Sequence, residues 1–364
     1  MEESIAKNQH ITPSRGIKAI VLLSGGLDSA VAARLMQEQG IDLVALNFHS
    51  PFCTCASNMR YNGCSATLFA TKMNIPIIML SKGDDYLEIV KNPRFGYGKN
   101  INPCIDCRIY LFKKAVEMMP GLGASFIVTG EVLGQRPKSQ MRKALDIIDE
   151  EAGVKGLVLR PLSARLLPPT IPERKGWVNR EKLLAIEGRH RNLQVELGKK
   201  FELIKQYCAG SGCLLTDSQF AAKMRDYFIY VAIPKMRDMQ ILKLGRHFRF
   251  RGIRIIVGRN EKENQLLESI ASPHDRIITL KDSVGPSTVI RFSENDFASN
   301  IRDPVLKEEI LRWAGLITCW YSKSWGRLVV VSIRSQADLL FEMDIPPDPT
   351  FLPQINRIGW ALSR

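Results

Sequence analysis

Long apolar runs are missing from this chain. Nothing in its 364 residues approaches the roughly 18 consecutive apolar positions that a membrane-spanning helix requires, so no membrane partner is expected. The first 16 residues are polar and lack the apolar core of a secretory signal, which points to a flexible leader over 1–16 and a cytoplasmic protein. Without export, the eight cysteines do not spell a disulfide framework and are expected as reduced thiols, metal ligands or catalysts. Internal repeats are absent too. Acidic residues are in short supply, 37 Asp and Glu against 51 Lys and Arg, for a net charge of +14. The shortage is local, since residues 151–260 alone hold 22 basic and 9 acidic residues. Such clustering is the electrostatic footprint of a polyanion partner. A hydrophobic content of 45% and a charged content of 24% are those of an ordinary globular protein, long enough for two or three domains.

What the chain does have is an apolar strand, Ala19–Leu23, that runs into Ser24-Gly25-Gly26-Leu27-Asp28-Ser29 and then into a helical pattern. Backbone amides in such a turn, with a helix N-terminus behind them, form a cradle for phosphate. Gly25 and Gly26 let the main chain approach the anion, and Ser24 and Ser29 add hydroxyls. Asp28 would repel a phosphate and is therefore assigned to Mg²⁺ beside one. The string resembles the signature of the PP-loop ATP pyrophosphatases, and no Gly-Lys-Ser/Thr of a Walker loop follows. That resemblance implies an adenine nucleotide alpha hydrolase-like fold, ATP as cosubstrate, and adenylation of a carbonyl oxygen with release of pyrophosphate.

Short apolar runs at 19–23, 43–48, 75–80, 126–129 and 157–160 alternate with helical patterns near 29–39, 65–73, 105–119 and 139–151. Continuous apolar strands alternating with helices predict a doubly wound, parallel five-stranded sheet over 17–165. Ligands of such sheets sit beyond the strands' carboxyl ends. The unusual residues gather in those loops: Asn47 and Phe48 after the second strand, Asn102-Pro103-Cys104-Ile105-Asp106-Cys107-Arg108 after the third, and Gly130, Glu131, Gln135 and Arg136 after the fourth. Asn47, Phe48, Gly130 and Glu131 are accordingly expected around ATP, with Gln135 and Arg136 facing phosphate or RNA.

Beyond a Pro-rich connector at 167–172 lies a basic stretch, 166–238, read as a helical extension with helices near 180–187 and 191–201. A small α+β domain is expected over 239–364, with Asn260 capping a helix and Glu263 completing a capping box. Gly245-Arg246-His247 and Val257-Gly258-Arg259-Asn260 are similar to the RNA-binding domain family NFACT-R, over about 95 residues. On that resemblance Arg246, Arg259 and Asn260 are expected to touch RNA, as is Arg136 from its place in the loop after the fourth strand.

Cys104 and Cys107 open a helix, where thiolates are favoured. The pair suits a redox dithiol, a nucleophile that accepts sulfur as a persulfide, or two ligands of an iron–sulfur cluster. A zinc site would need a fourth ligand, and no second CxxC supplies it. Cys319, inside an apolar helical pattern, is expected to be packed there. The chain also resembles the tRNA thiouridine synthases, in which an Asn-Pro-x-x-x-Cys stretch follows the third strand and a second essential cysteine lies well downstream. Here Cys107 takes the first place and Cys213 the second. That resemblance implies an ATP-dependent tRNA sulfurtransferase with catalytic Asp28, Cys107 and Cys213. It also implies a 4Fe–4S cluster on Cys104, Cys107 and Cys213. No THUMP-like domain precedes the loop and no rhodanese-like carrier follows it, so sulfur must come from separate sulfide or a persulfide carrier. The oligomeric state is open, a dimer included. Cys53, Cys55 and Cys64 have no place in this scheme. Two rivals remain: a PP-loop enzyme that amidates or ligates a small acid, and a non-catalytic RNA-binding protein that senses ATP.

Overall fold

Five short strands pair in parallel in the first unit of the chain, in the order β3-β2-β1-β4-β5. They are β1 (Lys18–Leu22), β2 (Asp42–His49), β3 (Ile77–Ser81), β4 (Phe126–Thr129) and β5 (Val158–Leu159). The computed structural model describes residues 16–54, 64–204, 212–292, 303–336 and 338–348. Nearly all of the expected leader, together with Cys55 and Cys208, lies outside the described residues. β1 is central, with Lys18–Leu22 in register with Asp42–Leu46 and Ala19–Leu22 in register with Phe126–Thr129. Its side chains alternate between two cores. Ala19 and Val21 face the layer built from α1 (Leu27–Gln37) and α2 (Ser65–Lys72), while Ile20 and Leu22 face α4 (Cys104–Leu122) and α5 (Arg142–Glu151). Burial on both faces explains why these strands read as continuous apolar runs. Each fully buried aliphatic side chain contributes about 1.5–3 kcal/mol. The expected doubly wound sheet is what forms. An additional helix, α3 (Asp84–Lys91), follows β3.

The basic extension is not a unit of its own. The chain divides into compact units at Thr216/Asp217. Val178, Leu183, Ile186, Phe201 and Leu203 join the first unit's core, because the extension carries enough apolar residues to bury them there. The helix expected near 180–187 is a single 3₁₀ turn, Arg180–Lys182. The short α6 (Ile171–Arg174) starts at a Thr170/Glu173 capping box, and α7 (Asn192–Lys200) packs on α1.

The second unit opens with α8 (Ser218–Tyr230), capped by the Asp217 carboxylate, which accepts from the Phe220 N–H at 2.8 Å. After α9 (Met239–Lys243) come β6 (Arg246–Phe250), β7 (Ile253–Val257), α10 (Glu261–Ser269), β8 (Arg276–Leu280), β9 (Thr288–Arg291), α11 (Pro304–Trp320), β10 (Val329–Arg334) and β11 (Leu339–Ile345). The sheet order is β11-β10-β8-β9-β7-β6, with every pairing antiparallel. α11 lays Ile310, Leu311, Ala314 and Ile317 on that sheet, and Cys319 is buried in the same helix. Asn260 caps α10 as expected, accepting from the Glu263 N–H at 3.0 Å. Glu263 does not close the box. Its carboxylate instead accepts from the N–H groups of Arg259 and Gly245. Among the described residues, no helix is long and apolar enough to cross a membrane.

Candidate active site

The turn after β1 is held by its own hydroxyls. Ser29 Oγ donates to the Gly26 carbonyl at 2.8 Å and accepts from the Ser24 N–H at 3.2 Å, while Ser24 Oγ accepts from the Gly26 N–H at 3.3 Å. Gly25 takes φ +80°, which a side chain would strain. Gly130, after β4, lies so close to the turn that a Cβ there would sit 2.4 Å from the Ser29 nitrogen. Only glycine allows that approach. Asn47 Nδ2 donates to the Leu23 carbonyl at 2.7 Å, and its buried Oδ1 has no partner among the described residues. Phe48, next along β2, is half-buried against the α4/α5 core.

Asp28 is engaged from two sides, by Arg191 Nη2 at 3.1 Å and by Gln135 Nε2 at 3.1 Å. Glu131 does not face an open cradle. It is buried between Arg108, at 3.3 Å, and Arg160, at 3.0 Å, and Arg160 also forks onto Asp149. Burial opposes the Arg160 charge, but Glu131 and Asp149 outweigh it and keep the guanidinium firmly protonated. Arg136 is solvent-exposed as a residue, yet its guanidinium is crowded enough that desolvation and the like charge of Arg108 lower its pKa. Cys104, Glu131 and Asp28 all act on it.

The thiols converge on the same edge. Lys82, immediately after β3, donates from Nζ to Cys107 Sγ at 3.3 Å and sits 4.1 Å above the Tyr86 ring. Burial raises the Cys107 thiol, but Lys82, the Tyr86 hydroxyl and Arg108 outweigh that, and the net pKa is lowered. At Cys104, burial and the neighbouring Cys107 outweigh Arg136 and Arg108, and the thiol is pushed up. Cys213 arrives from far along the chain. Its segment is sewn to the loop after β2 by Leu214 N–H to Phe52 carbonyl at 2.8 Å, and to the loop before α4 by Asn100 Nδ2 to Thr216 carbonyl at 2.7 Å. Burial pushes its thiol up to about 11, with Cys107 and Cys53 adding to the rise. The donor set is of the kind an iron–sulfur cluster uses. Among the described residues, however, no group of three or more His, Cys, Asp or Glu is close enough together to hold a metal ion.

The structure therefore gathers Ser24–Ser29, Gly130, Gln135 and Arg136 with Cys104, Cys107 and Cys213. It places Arg246, Arg259 and Asn260 in the second unit. Arg246 stacks 4.3 Å over Tyr321 and donates to the Gly258 carbonyl, while Arg259 pairs with Glu263. Sequence reasoning missed Lys82, whose only signal is its place directly after a strand, at the ligand-binding end of the sheet. Tyr86, Arg160 and Arg191 were missed as well, because each meets its partner only through the fold.

A parallel sheet of this order, with Ser-Gly-Gly-Leu-Asp-Ser at the end of its first strand, defines an α/β domain of the PP-loop type. Residues 15–165 match the family model ThiI, described as thiamine biosynthesis protein, and residues 245–337 match the model described as NFACT protein RNA binding domain. The chain is thus ThiI-like over its parallel sheet and NFACT-like over much of its second unit. It is 32% identical over 124 residues to the tRNA-specific 2-thiouridylase MnmA of Clostridium perfringens, covering 31% of this chain and 34% of that protein. A probable tRNA sulfurtransferase of Methanosarcina mazei is 31% identical over 121 residues, covering 32% and 29%. The chain spans about a third of the length of these relatives. Among solved structures, a 4-thiouridine synthetase in complex with RNA and ATP matches at 21% identity and a TM-score of 0.35, over 62% of this chain and 52% of that one.

Proposed function

We propose that the chain is a cytoplasmic, ATP-dependent tRNA sulfurtransferase that adenylates a uridine carbonyl oxygen and replaces it with sulfur, releasing AMP and pyrophosphate. The observation that carries this reading is the convergence of turn and thiol beyond the strand ends: Gly130, after β4, packs against the Ser29 backbone, and Lys82, after β3, holds Cys107 Sγ at 3.3 Å. An activated oxygen and a sulfur nucleophile would then share one sheet edge.

ATP would lay its phosphates on Ser24–Ser29, with adenine along Asn47 and Phe48. The unpartnered Asn47 Oδ1 suits the exocyclic amine, since a buried acceptor left unsatisfied costs about 1–3 kcal/mol. Mg²⁺ bound there would neutralise phosphate charge, held by Asp28 and the phosphates themselves. Gln135 and Arg191 orient Asp28. The uridine oxygen attacks the α-phosphorus and pyrophosphate leaves. Sulfane sulfur on Cys107, passed from a persulfide carrier that leaves as its thiolate, then attacks the activated carbon and AMP departs. Lys82, 3.3 Å away, favours the Cys107 thiolate that takes up this sulfur. The Cys213 thiolate then attacks Cys107 Sγ, which releases the thiolated base and leaves a Cys107–Cys213 disulfide for an external dithiol to reduce. A 4Fe–4S cluster on Cys104, Cys107 and Cys213 would supply an open iron for sulfide, and it would require those three side chains to close up on one another. The NFACT domain would dock the tRNA.

The reading is tested by mass spectrometry of tRNA nucleosides from cells with and without the gene. A thionucleoside lost with the gene is expected, and unchanged thionucleosides across growth conditions would sink it. Iron is tested separately. Anaerobic reconstitution is expected to give brown protein whose visible absorbance disappears in Cys104→Ala, whereas colourless protein leaves sulfur transfer to Cys107 and Cys213 without iron.

A further inference from the structure

Cys53 lies outside the sulfur-transfer scheme, yet the fold sets it opposite Cys213. The two residues form an isolated antiparallel bridge. Its hydrogen bonds run from Thr54 N–H to the Gly212 carbonyl, at 3.3 Å, and from Leu214 N–H to the Phe52 carbonyl, at 2.8 Å. Both bonds flank the pair, so Cys53 and Cys213 occupy the non-hydrogen-bonded site of the ladder. There the Cα atoms of opposed residues lie about 4.5 Å apart and their side chains leave the same face. That spacing falls within the roughly 4.4–6.8 Å range that disulfides span. The contact is fixed by other groups: Thr54 Oγ1 accepts from Gly212 N–H at 2.7 Å and donates to the Gly212 carbonyl at 3.1 Å. Both thiols are free and half-buried, and each lies within the electrostatic reach of the other.

We propose that Cys53 and Cys213 are a redox pair that closes a cross-strand disulfide and thereby withdraws Cys213 from sulfur transfer. The oxidant is a low-molecular-weight disulfide. The Cys53 thiolate attacks one of its sulfurs, forming a mixed disulfide and expelling one thiolate. The Cys213 thiolate then attacks Cys53 Sγ, forming the Sγ–Sγ bond and expelling the second. Two protein thiols lose two electrons, and the small disulfide gains them. A dithiol reverses both steps. The bond itself is independent of the function proposed above; its effect on sulfur transfer rests on that reading.

The full chain, equilibrated with mixtures of reduced and oxidised glutathione, alkylated and digested, decides the matter. A Cys53–Cys213 peptide is expected as the first internal disulfide, absent in Cys53→Ser and in Cys53→Ala, while Cys107 still alkylates. A different first pairing, or none up to fully oxidising mixtures, overturns the proposal. Thiolation of tRNA is expected to fall at least tenfold in oxidised wild-type protein, to return with dithiothreitol, and to persist in oxidised Cys53→Ser. Equal losses in wild type and Cys53→Ser overturn the switch. Absence of thiolation from every reduced protein instead overturns the sulfurtransferase reading and leaves the peptide map to judge the disulfide.

Discussion

Both sheets bury an arginine against carboxylates, and the two solutions differ in charge balance. Beside the parallel sheet, Arg160 and Arg108 share Glu131 and Asp149, two cations to two anions. Beside the antiparallel sheet, Arg254 and Arg249 share a single carboxylate among the described residues, Asp226. Burial first, and then the like charge of Arg249, hold the Arg254 pKa down to about 10, with Asp226 opposing. The adjoining His247, fully buried, is held well below its ordinary value by burial and by neighbouring Lys223 and Arg254, and so stays neutral. The balanced cluster is a strut that braces the loop carrying Gly130. The unbalanced one leaves net positive charge in a domain expected to meet a polyanion.

The sharpest break in this comparison is chemical. Cys107→Ser should reduce thionucleoside formation to background while ATP binding, followed by calorimetry, stays unchanged, because the change touches only the sulfur side of the edge. Arg160→Ala comes next. It leaves the part-buried Asp149 without its forked arginine and the fully buried Glu131 with Arg108, and should cost about 3–5 kcal/mol, seen as faster hydrogen exchange in β4 and β5. Arg254→Ala leaves Asp226 its second arginine, so exchange in β6 and β7 should report a smaller loss, about 1–3 kcal/mol. Equal losses would erase the distinction between strut and excess. Gly130→Ala should cost about 1–3 kcal/mol through backbone displacement and weaken ATP binding with it. The mildest change is Lys82→Met. Removing the cation favours the protonated thiol, so the pH at which Cys107 alkylates half-maximally should move upward and labelling at neutral pH should slow. An unmoved profile would remove Lys82 from the chemistry.

Local signals carried much of this architecture. The apolar strands, the turn at Ser24–Ser29, the CxxC at a helix start and the Asn260 cap all depend on neighbours a few residues away, and each was readable. α3 was not, since its eight residues follow Lys82-Gly83 with a charged face and little apolar run. The extension misled because its composition is basic, while its fate is set by a few buried residues such as Phe201 and Leu203. Glu131 looked like a ligand-facing residue and became half of a buried ion pair, since Arg108 and Arg160 reach it only through the fold. The same holds for Cys53, whose partner is supplied by tertiary pairing and by no spacing in the chain.

Segment 212–216 also sets an order of events. Its ties to Thr54 and Asn100 span 158 and 116 residues of sequence. Closing such loops adds little equilibrium cost per added residue, but contacts this distant form late. On the ribosome the nucleotide turn and the Cys104–Cys107 pair are complete long before Cys213 emerges. The thiol set is therefore the last part of the site to be synthesised, after every strand of the parallel sheet that carries it.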